Sequence, residues 1–479
     1  MVLQPSIRQN IEGIVGKHNV SENFYKISDY CMNHVAKNIF AMSKYEPFLV
    51  VRPQNLDQLI NLVKYANNNS IPIFIRGGGT GYSGGEVPTS SGIVLEMTGL
   101  NKVISVDAEG RYVVCEAGIT VLELNNILQK KYGLWWPHDP GSREWATVGG
   151  SISTLGCGAY TTKYGYASDN VVSMKVVTPE GNLATIGSKV RHDATSYNLL
   201  DLMTSAEGTL GVIVEATLKV FPTPEKRIVS ISLFEKFQDA VKACYDIADS
   251  GLYPESLMLE DVLRFTLEGL APFIDLESPI IKKLKLDSIE AAGIVSYAGK
   301  NEVTETSIRQ TNKIIQMHNG KIIEDREIIN AYWRSKTELP SWSKELGNIK
   351  IHSFVPAIPL YKAPQFYHKY VQVASELDLS KVGARFYVVL PYLECTISPT
   401  VAFDDKDPEN VRNYEEFTRR LSQEVIQLEG APASTTGVGM RLIDVVEHLL
   451  DHGQMELARK IKSSLDPGLL FNRGKKLRV

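Results

Sequence analysis

Cysteine and histidine are both scarce in this chain of 479 residues. The five cysteines, Cys31, Cys115, Cys157, Cys244 and Cys395, are odd in number and scattered, and none forms a C-x-x-C pair. That argues against a disulfide framework and against a structural zinc site, and it suits a reducing compartment. Only nine histidines in the whole chain argue against an imidazole-rich metal centre, so no metal is expected. Basic blocks are missing as well. Lys and Arg total 51 against 55 Asp and Glu, a net charge of −4, which excludes nucleic acid as the expected partner. No apolar run approaches the ~20 residues of a membrane span, and the N-terminus lacks the charged, apolar and small-residue succession of a signal peptide. The expectation is a cytoplasmic protein with no membrane span, peripheral contact with a membrane being left open.

What the chain does have is glycine in particular places. An apolar run, Ile71 to Ile75, reads as a buried strand, and it empties into a loop, Gly77 to Gly85, in which six of nine residues are glycine. Glycine lets another molecule approach the backbone closely, and consecutive N–H groups in such a loop converge into an anion nest, most often for phosphate. Arg76 at its mouth fits that chemistry. Gly79, Gly81 and Gly84 satisfy G-x-G-x-x-G, yet Glu86 to Gly92 is poor helix material, so a Rossmann site is not implied. A purely structural multi-glycine turn is the alternative.

At this length two or three domains are expected. Residues 1–45 read as a helical arm, with Ile7, Ile11 and Ile14 on one face. Residues 46–224 form a first domain. In it a strand at Phe48–Pro53, a helix from Leu56, strands at Ile93–Met97 and Tyr112–Glu116, a helix opened by the Thr120/Glu123 capping pattern and a hairpin at Ser173–Ile186 can be placed. Trp135 to Gly165 is rich in small residues but carries Trp135, Trp136 and Trp145. It reads either as an ordered loop against a flat ligand or as tight backbone crossings in the core. Thr204 to Gly211 is a third glycine-bearing loop. Pro222 and Pro224 mark a boundary. Residues 225–436 alternate strands (Ile228–Leu233, Ala291–Tyr297) with helices (Phe237–Ala248, Thr304–His318, Asn410–Leu428), an antiparallel sheet with helices on one face. Residues 437–479 include a long helical pattern, Leu442 to Leu465. The fold class is α+β.

Five motifs occur in order: Arg76-Gly-Gly-Gly-Thr-Gly-Tyr-Ser-Gly-Gly85, His138-Asp-Pro-Gly-Ser142, Thr147-Val-Gly-Gly150, Tyr164-Gly165 and Glu207-Gly-Thr-Leu-Gly-Val-Ile213. Together they resemble the FAD-binding domain of the vanillyl-alcohol oxidase / p-cresol methylhydroxylase flavoprotein superfamily, nearest its D-lactate dehydrogenase and glycolate oxidase FAD-subunit branch. A weaker match, Leu465-Asp-Pro467 followed by Asn472-Arg-Gly-Lys475, resembles the family's tail, with Arg473 in place of proline. The resemblance implies a two-subdomain FAD-binding domain and an α+β substrate (cap) domain, with the last segment returning to the FAD domain. It implies cofactor contacts from Arg76, Gly77, Gly78, Gly79, Thr80, Gly81, Ser83 and Gly84 in the first loop. The second stretch would contribute Pro137, Asp139, Pro140, Gly141, Ser142, Thr147, Gly149, Gly150, Ser153, Gly158 and Tyr164. Glu207, Gly208, Gly211, Val212, Ile213 and Asn472 complete the set. Some relatives attach flavin through a histidine of the first loop. Thr80 stands at that position, so noncovalent FAD is expected.

The activity implied is oxidation of a CH–OH group by hydride transfer to FAD, most nearly that of a 2-hydroxy acid such as D-lactate or glycolate. This chemistry needs a hydride acceptor, a cation for the carboxylate and a base for the hydroxyl proton. By the resemblance, Arg334 and Lys350 fall where 2-hydroxy-acid relatives hold substrate. Arg385, Tyr387, Tyr392, Glu394, His352 and Arg441 are candidates for pocket residues; Arg385 and Tyr387, and Arg441 beyond them, resemble the phenol-oxidising branch, where such side chains stabilise a phenolate, and a core role for Tyr387 is the alternative. The His-rich metal motifs of the 2-hydroxy-acid branch are replaced here by Arg385 to Thr396 and by Thr435-Thr436-Gly437, so the metal-assisted mechanism is not carried over. Oxidation of 4-alkylphenols or sugar lactones is the alternative, as is a flavin subunit of a larger electron-transfer complex. The expected partners are a small-molecule substrate and an electron acceptor (quinone, cytochrome, carrier protein or oxygen), with a homodimer as a further assembly to test.

Overall fold

A computed structural model describes residues 5–21, 49–190, 193–336, 349–404 and 406–479. Cys31 and most of the stretch 16–45 of the expected helical arm lie outside the described residues. The part described, helix Pro5–Val15, buries Ile11 and Val15 in the same core as Leu59, Ile73 and Leu95, with Ile7 and Ile14 packed against it.

The first sheet is mostly parallel. Strands Leu49–Val51 and Ile73–Arg76 both pair in parallel with Ile93–Glu96, and Val20–Ser21 is added antiparallel at the edge. Its strands are continuous apolar runs because both faces are covered. Helix Leu56–Asn68 makes the crossover, capped by Asn55, whose side chain accepts from Gln58 N at 3.0 Å. A second, antiparallel sheet takes the order Val103–Asp107, Tyr112–Glu116, Val212–Lys219, Val171–Val177, Leu183–Gly187. Helix Val121–Tyr132 begins at Thr120, whose hydroxyl accepts from Glu123 N at 3.2 Å, and ends at Gly133 in the left-handed conformation.

The cap is one antiparallel sheet of eight strands among the described residues. Lys226–Phe234, Ala291–Gly299, Ser256–Asp261, Ser380–Val389 and Glu394–Asp404 form its centre in that order. Helices Phe237–Asp249, Ala363–Glu376 and Pro408–Gln427 cover one face, burying Phe237, Phe366, Tyr370, Phe417 and Leu421 in a common core. The long pattern from Leu442 to Leu465 is not one helix. It breaks into Ile443–Leu449 and His452–Leu465, because the Asp451 side chain accepts from Gln454 N at 3.0 Å and starts a new first turn.

The C-terminal tail lies along the first sheet. Ile73 N donates to Leu470 O at 2.8 Å and Asn472 N to Ile73 O at 2.9 Å, a parallel bridge beside the strand that feeds the glycine loop. Fully buried Asp466 shapes the turn before it, accepting from Leu470 N at 2.8 Å, from Phe471 N at 2.9 Å and from the buried Lys462 ammonium.

Candidate active site

The glycine loop is pressed onto the second cofactor stretch. A Cβ on Gly78 would stand 2.6 Å from the Trp145 carbonyl carbon, and one on Gly77 would meet the Thr147 side chain. Thr147 in turn caps the short helix Val148–Ser153, accepting from Gly150 N at 3.2 Å. Gly79, at φ +65°, folds back over the guanidinium of buried Arg76, whose Cζ would lie 2.5 Å from an added Cβ. Gly84, at φ +72°, turns the chain out again. Among the described residues no backbone N–H from Gly77 to Gly85 donates a hydrogen bond within the protein. Buried backbone donors are nearly always paired, so a run of amides left open by the fold is a cradle for acceptor atoms of another molecule.

The other motif residues divide into walls and braces. Pro137 and Gly158 are buried, and a Cβ on Gly158 would stand 2.8 Å from Asp139 O. Asp139 accepts from Tyr160 N at 3.4 Å, and burial pushes its carboxyl up to about 7. Beside it, burial lowers His138 to about 3, so the imidazole packed on the Trp136 ring is neutral. Amides of Pro140–Ser142 begin a turn, closed by Arg143 N to Pro140 O at 3.0 Å. Gly149 packs on Ala117, and Ser153 Oγ donates to Gly149 O at 2.7 Å. Glu207 accepts from Val438 N at 2.9 Å and Gly439 N at 2.7 Å, which ties the third glycine loop to the C-terminal segment. Asn472 donates to Glu207 O at 2.6 Å and accepts from Ile75 N at 2.9 Å. Gly208, at φ +66°, fits beneath Asn472, Gly211 against Val176, and Val212 and Ile213 are buried in the strand that follows. Ser83 anchors the loop's far end, donating to Thr436 O at 2.5 Å and accepting through its carbonyl from Met440 N and Arg441 N. Thr80 and Gly81 lie between these anchors, half-buried. The tryptophans resolve differently from the flat-ligand reading. Trp136 is fully buried in the core, and Trp135 packs edge-on to Tyr160 and Tyr164 at 5.2 and 5.8 Å, so both are core side chains.

Across from the glycine loop, the cap presents a cluster of buried charges. Glu260, 0% exposed, accepts from Lys336 Nζ at 3.0 Å and from Arg385 Nε on the same oxygen. Although burial opposes it, the charges of Arg385 and Lys336 hold this carboxyl down at about 2. Burial, with Arg385 nearby, brings Lys336 down to about 7. Arg385 Nη1 donates to the Tyr387 hydroxyl at 3.2 Å, and its Nη2 lies 3.7 Å from Glu268, which pairs with Arg264 at 2.7 Å. Asp261 fixes the turn between Glu260 and Arg264. It accepts from Arg264 N at 2.8 Å and from Ala384 N at 3.0 Å, which binds the neighbouring strand too. Tyr82, on the glycine loop, lies in the field of this cluster. Desolvation raises its hydroxyl, followed by the charge of Glu268, with Arg264 and Arg385 opposing. Tyr387 likewise feels Arg385 and the Cys157 thiol of the second cofactor stretch.

The structure therefore brings Arg385 and Tyr387 to the boundary between the two domains. Arg334 stands elsewhere, exposed on helix Arg326–Ser335 with its guanidinium 4.4 Å above the Phe273 ring. Lys350 lies in strand Ile349–Ser353, and its side chain lies outside what the structure describes. Arg441 braces the glycine loop to the cap, donating to Ser353 O at 3.0 Å and Tyr82 O at 3.3 Å. Sequence reading passed over Glu260, Arg264 and Glu268. The available signal was an acidic pair ending the apolar run Ser256–Leu259, followed by an Arg264/Glu268 pair at i,i+4.

Two family models cover most of the chain: an FAD binding domain over residues 47–187 and the C-terminal domain of FAD linked oxidases over residues 223–476. The chain belongs to the FAD-linked oxidase family. Among curated relatives, D-lactate dehydrogenase of Archaeoglobus fulgidus is 28% identical over 444 residues, covering 90% of this chain and 92% of that protein. The glycolate oxidase subunit GlcD of Bacillus subtilis is 24% identical over 431 residues, covering 90% and 88%. Among solved structures, substrate-bound p-cresol methylhydroxylase superposes with a TM-score of 0.80 over 99% of this chain and 96% of its own, at 17% identity, a likeness of fold. This FAD-linked oxidase is thus an FAD-dependent oxidoreductase with an α+β, p-cresol methylhydroxylase-type architecture. The open amides of Gly77–Gly85 fit the diphosphate of that cofactor, and the stretches 137–165 and 207–213 lie beside them. No helix among the described residues is long and apolar enough to cross a membrane.

Proposed function

We propose that this FAD-linked oxidase oxidises the hydroxyl-bearing carbon of a 2-hydroxy acid and that Arg385, with Tyr387, holds the substrate carboxylate. FAD, when bound, supplies the hydride acceptor. The observation that carries the reading is the placing of Arg385. It is a largely buried guanidinium at the domain boundary, with two of its five N–H donors committed to Glu260 and Tyr387. Its Nη2 stands 3.7 Å from Glu268, beyond hydrogen-bond range, and with the second Nη1 donor it presents a fork suited to a carboxylate. Glu260 and Tyr387 hold that fork in one orientation, so little order has to be imposed when substrate arrives. The names of the D-lactate dehydrogenase and glycolate oxidase relatives support the same substrate class. Arg334 is the outer candidate for the same role, on the helix that leads to Lys336. The flavin is held noncovalently, Thr80 having no side chain suited to flavin attachment.

Anaerobic mixing of the FAD-loaded protein with D-lactate, glycolate, L-lactate and 4-ethylphenol tests the proposal. Flavin bleaching by a hydroxy acid is the expected result; bleaching by 4-ethylphenol alone would replace the substrate class. Arg385→Lys keeps the charge and loses the fork, so kcat/KM is expected to fall about 10- to 100-fold with FAD content unchanged. Arg334→Ala producing that loss in its place would move the carboxylate to the outer site. Reoxidation of the reduced protein in air separates oxygen from quinone, cytochrome or carrier protein as acceptor, and sedimentation tests the homodimer.

A further inference from the structure

An alcohol that gives up a hydride must also lose its O–H proton, and a group within hydrogen-bond reach of that hydroxyl has to take it. Among the groups whose charge acts most on the Tyr82 hydroxyl are Glu268, Arg264, Arg385 and the Cys157 thiol. The two guanidinium groups have no acceptor capacity, and burial pushes the Cys157 thiol up to about 11, a poor match to neutral pH as a base. Three other acceptors are already occupied or packed away. Glu260 lies behind Arg385 and is engaged by it and by Lys336. His138 packs on Trp136 inside the FAD domain, and His352 lies between Phe403 and Tyr414.

Glu268 is different in place and in backbone. It sits on a π-helical turn, Phe265–Leu270, the kind of distortion common at functional sites. Gly269 permits that turn to lie flat against Tyr332, where a Cβ would stand 2.6 Å from the ring. The Glu268 side chain is 18% exposed, whereas Glu260 is closed off. Arg264 at 2.7 Å and Arg385 at 3.7 Å both meet the same oxygen, Oε2. We infer that Glu268, its carboxylate anchored through Oε2 by Arg264 and standing beside Arg385, is the residue that accepts the substrate's hydroxyl proton. This rests on the function proposed above. The O–H bond breaks with its proton passing to Glu268, the C–H electron pair leaves as hydride to the flavin, and the C–O bond becomes a carbonyl. The alcohol loses two electrons, which FAD, when bound, would accept.

The experiment is anaerobic stopped-flow reduction of the FAD-loaded wild type, Glu268→Gln and Glu268→Ala by the hydroxy acid that bleaches the wild type. Oxalate titrated into each oxidised protein measures anion binding separately from chemistry, and FAD content reports folding. Glu268→Gln is expected to lower the reduction rate constant about 10²- to 10⁴-fold, with FAD content kept and oxalate affinity within about threefold. Formate is expected to restore Glu268→Ala at least about tenfold, because it supplies the missing carboxylate. A reduction rate in Glu268→Gln within about fivefold of wild type would overturn the inference. So would rate and oxalate affinity falling in proportion without formate rescue, which is the signature of a lost ion pair. Should Glu268→Gln fail to hold FAD, Glu268→Asp decides: a carboxylate that restores FAD binding but not reduction rate refutes the role. A wild type that binds FAD and is reduced by none of the hydroxy acids overturns the substrate reading first, and Glu268 falls with it.

Discussion

Substituting alanine for single glycines of one loop separates the grip on the cofactor from mere loop flexibility. In Gly78→Ala the new methyl would stand 2.6 Å from the Trp145 carbonyl carbon and nearer still to its oxygen, where real Cβ atoms keep at least 3.0 Å. The obstacle is backbone on a segment held by Ala146 N to Ser142 O at 2.8 Å and Val121 N to Ala146 O at 2.9 Å, so it cannot swing aside as a side chain would. The glycine loop must instead retreat by on the order of 1 Å. Such a shift takes open amides out of hydrogen-bond range of a diphosphate. Each bond to a charged group is worth about 1.5–3 kcal/mol, so losing one or two weakens FAD binding by at least tenfold and up to about 10⁴-fold. Gly85→Ala is the internal control, because its Cβ meets nothing within 4 Å; FAD affinity within about threefold of wild type is expected there. The assay is quenching of FAD fluorescence on titration with apoprotein. Equal affinity in the two variants would refute the argument that the loop's position, set by Trp145, holds the diphosphate.

Two further substitutions test the supports of the site. Glu260→Gln leaves Arg385 and Lys336 buried without their shared carboxylate and is expected to cost about 3–5 kcal/mol, read as a lower denaturation midpoint of the cap. Its folded pKa of about 2 lies below the ordinary glutamate value of 4.5, so its contribution is complete above about pH 4.5 and is lost as pH falls toward 2; the variant should lack that acid limb, and an unchanged limb would assign it to other carboxyls. Asn472→Ala strands the Ile75 N–H and frees the Glu207 carbonyl, a loss of about 1–3 kcal/mol expected to appear as faster FAD release on heating, with the rate of flavin reduction by substrate unchanged.

The cofactor half was legible because its requirements are local. Glycine at Gly78 or Gly79 is demanded by a neighbour or a φ angle that no other residue meets as well, and that demand is written at the position itself. The capping signals at Thr120 worked for the same reason. The cap's charges were opaque because each gains its meaning from a distant partner. Glu260 is separated by 76 residues from Lys336 and by 125 from Arg385. An acidic residue at the end of an apolar strand is, by itself, an ordinary strand terminus. The Trp135 to Gly165 stretch was legible only as two alternatives, a loop against a flat ligand or core crossings; Trp135 and Trp136 lie in the core, and periodicity cannot say which side chain faces which. The pattern from Leu442 to Leu465 kept its apolar spacing across Asp451, so the break was visible only in the cap that Asp451 makes with Gln454.

The distance between cofactor loop and cap charges is fixed by packed elements. Thr162 of the second cofactor stretch accepts from Leu257 N at 2.9 Å, and Arg227 grips fully buried Glu255 at 2.6 and 3.0 Å while lying 4.7 Å over the Tyr160 ring. Tyr166 reaches Glu394 and Thr396 at 3.1 and 3.0 Å. Strand Ser256–Asp261 therefore starts at a point nailed to the FAD domain and, after about 10 Å of extended chain, delivers Glu260 and then the Asp261-capped turn carrying Arg264 and Glu268. A strand transmits position far better than a loop does. The side chains at its end can thus be exchanged for a different set of charges while their separation from the FAD domain stays constant. The proposed transfers of hydride and proton from one carbon and its oxygen would both require such a fixed separation.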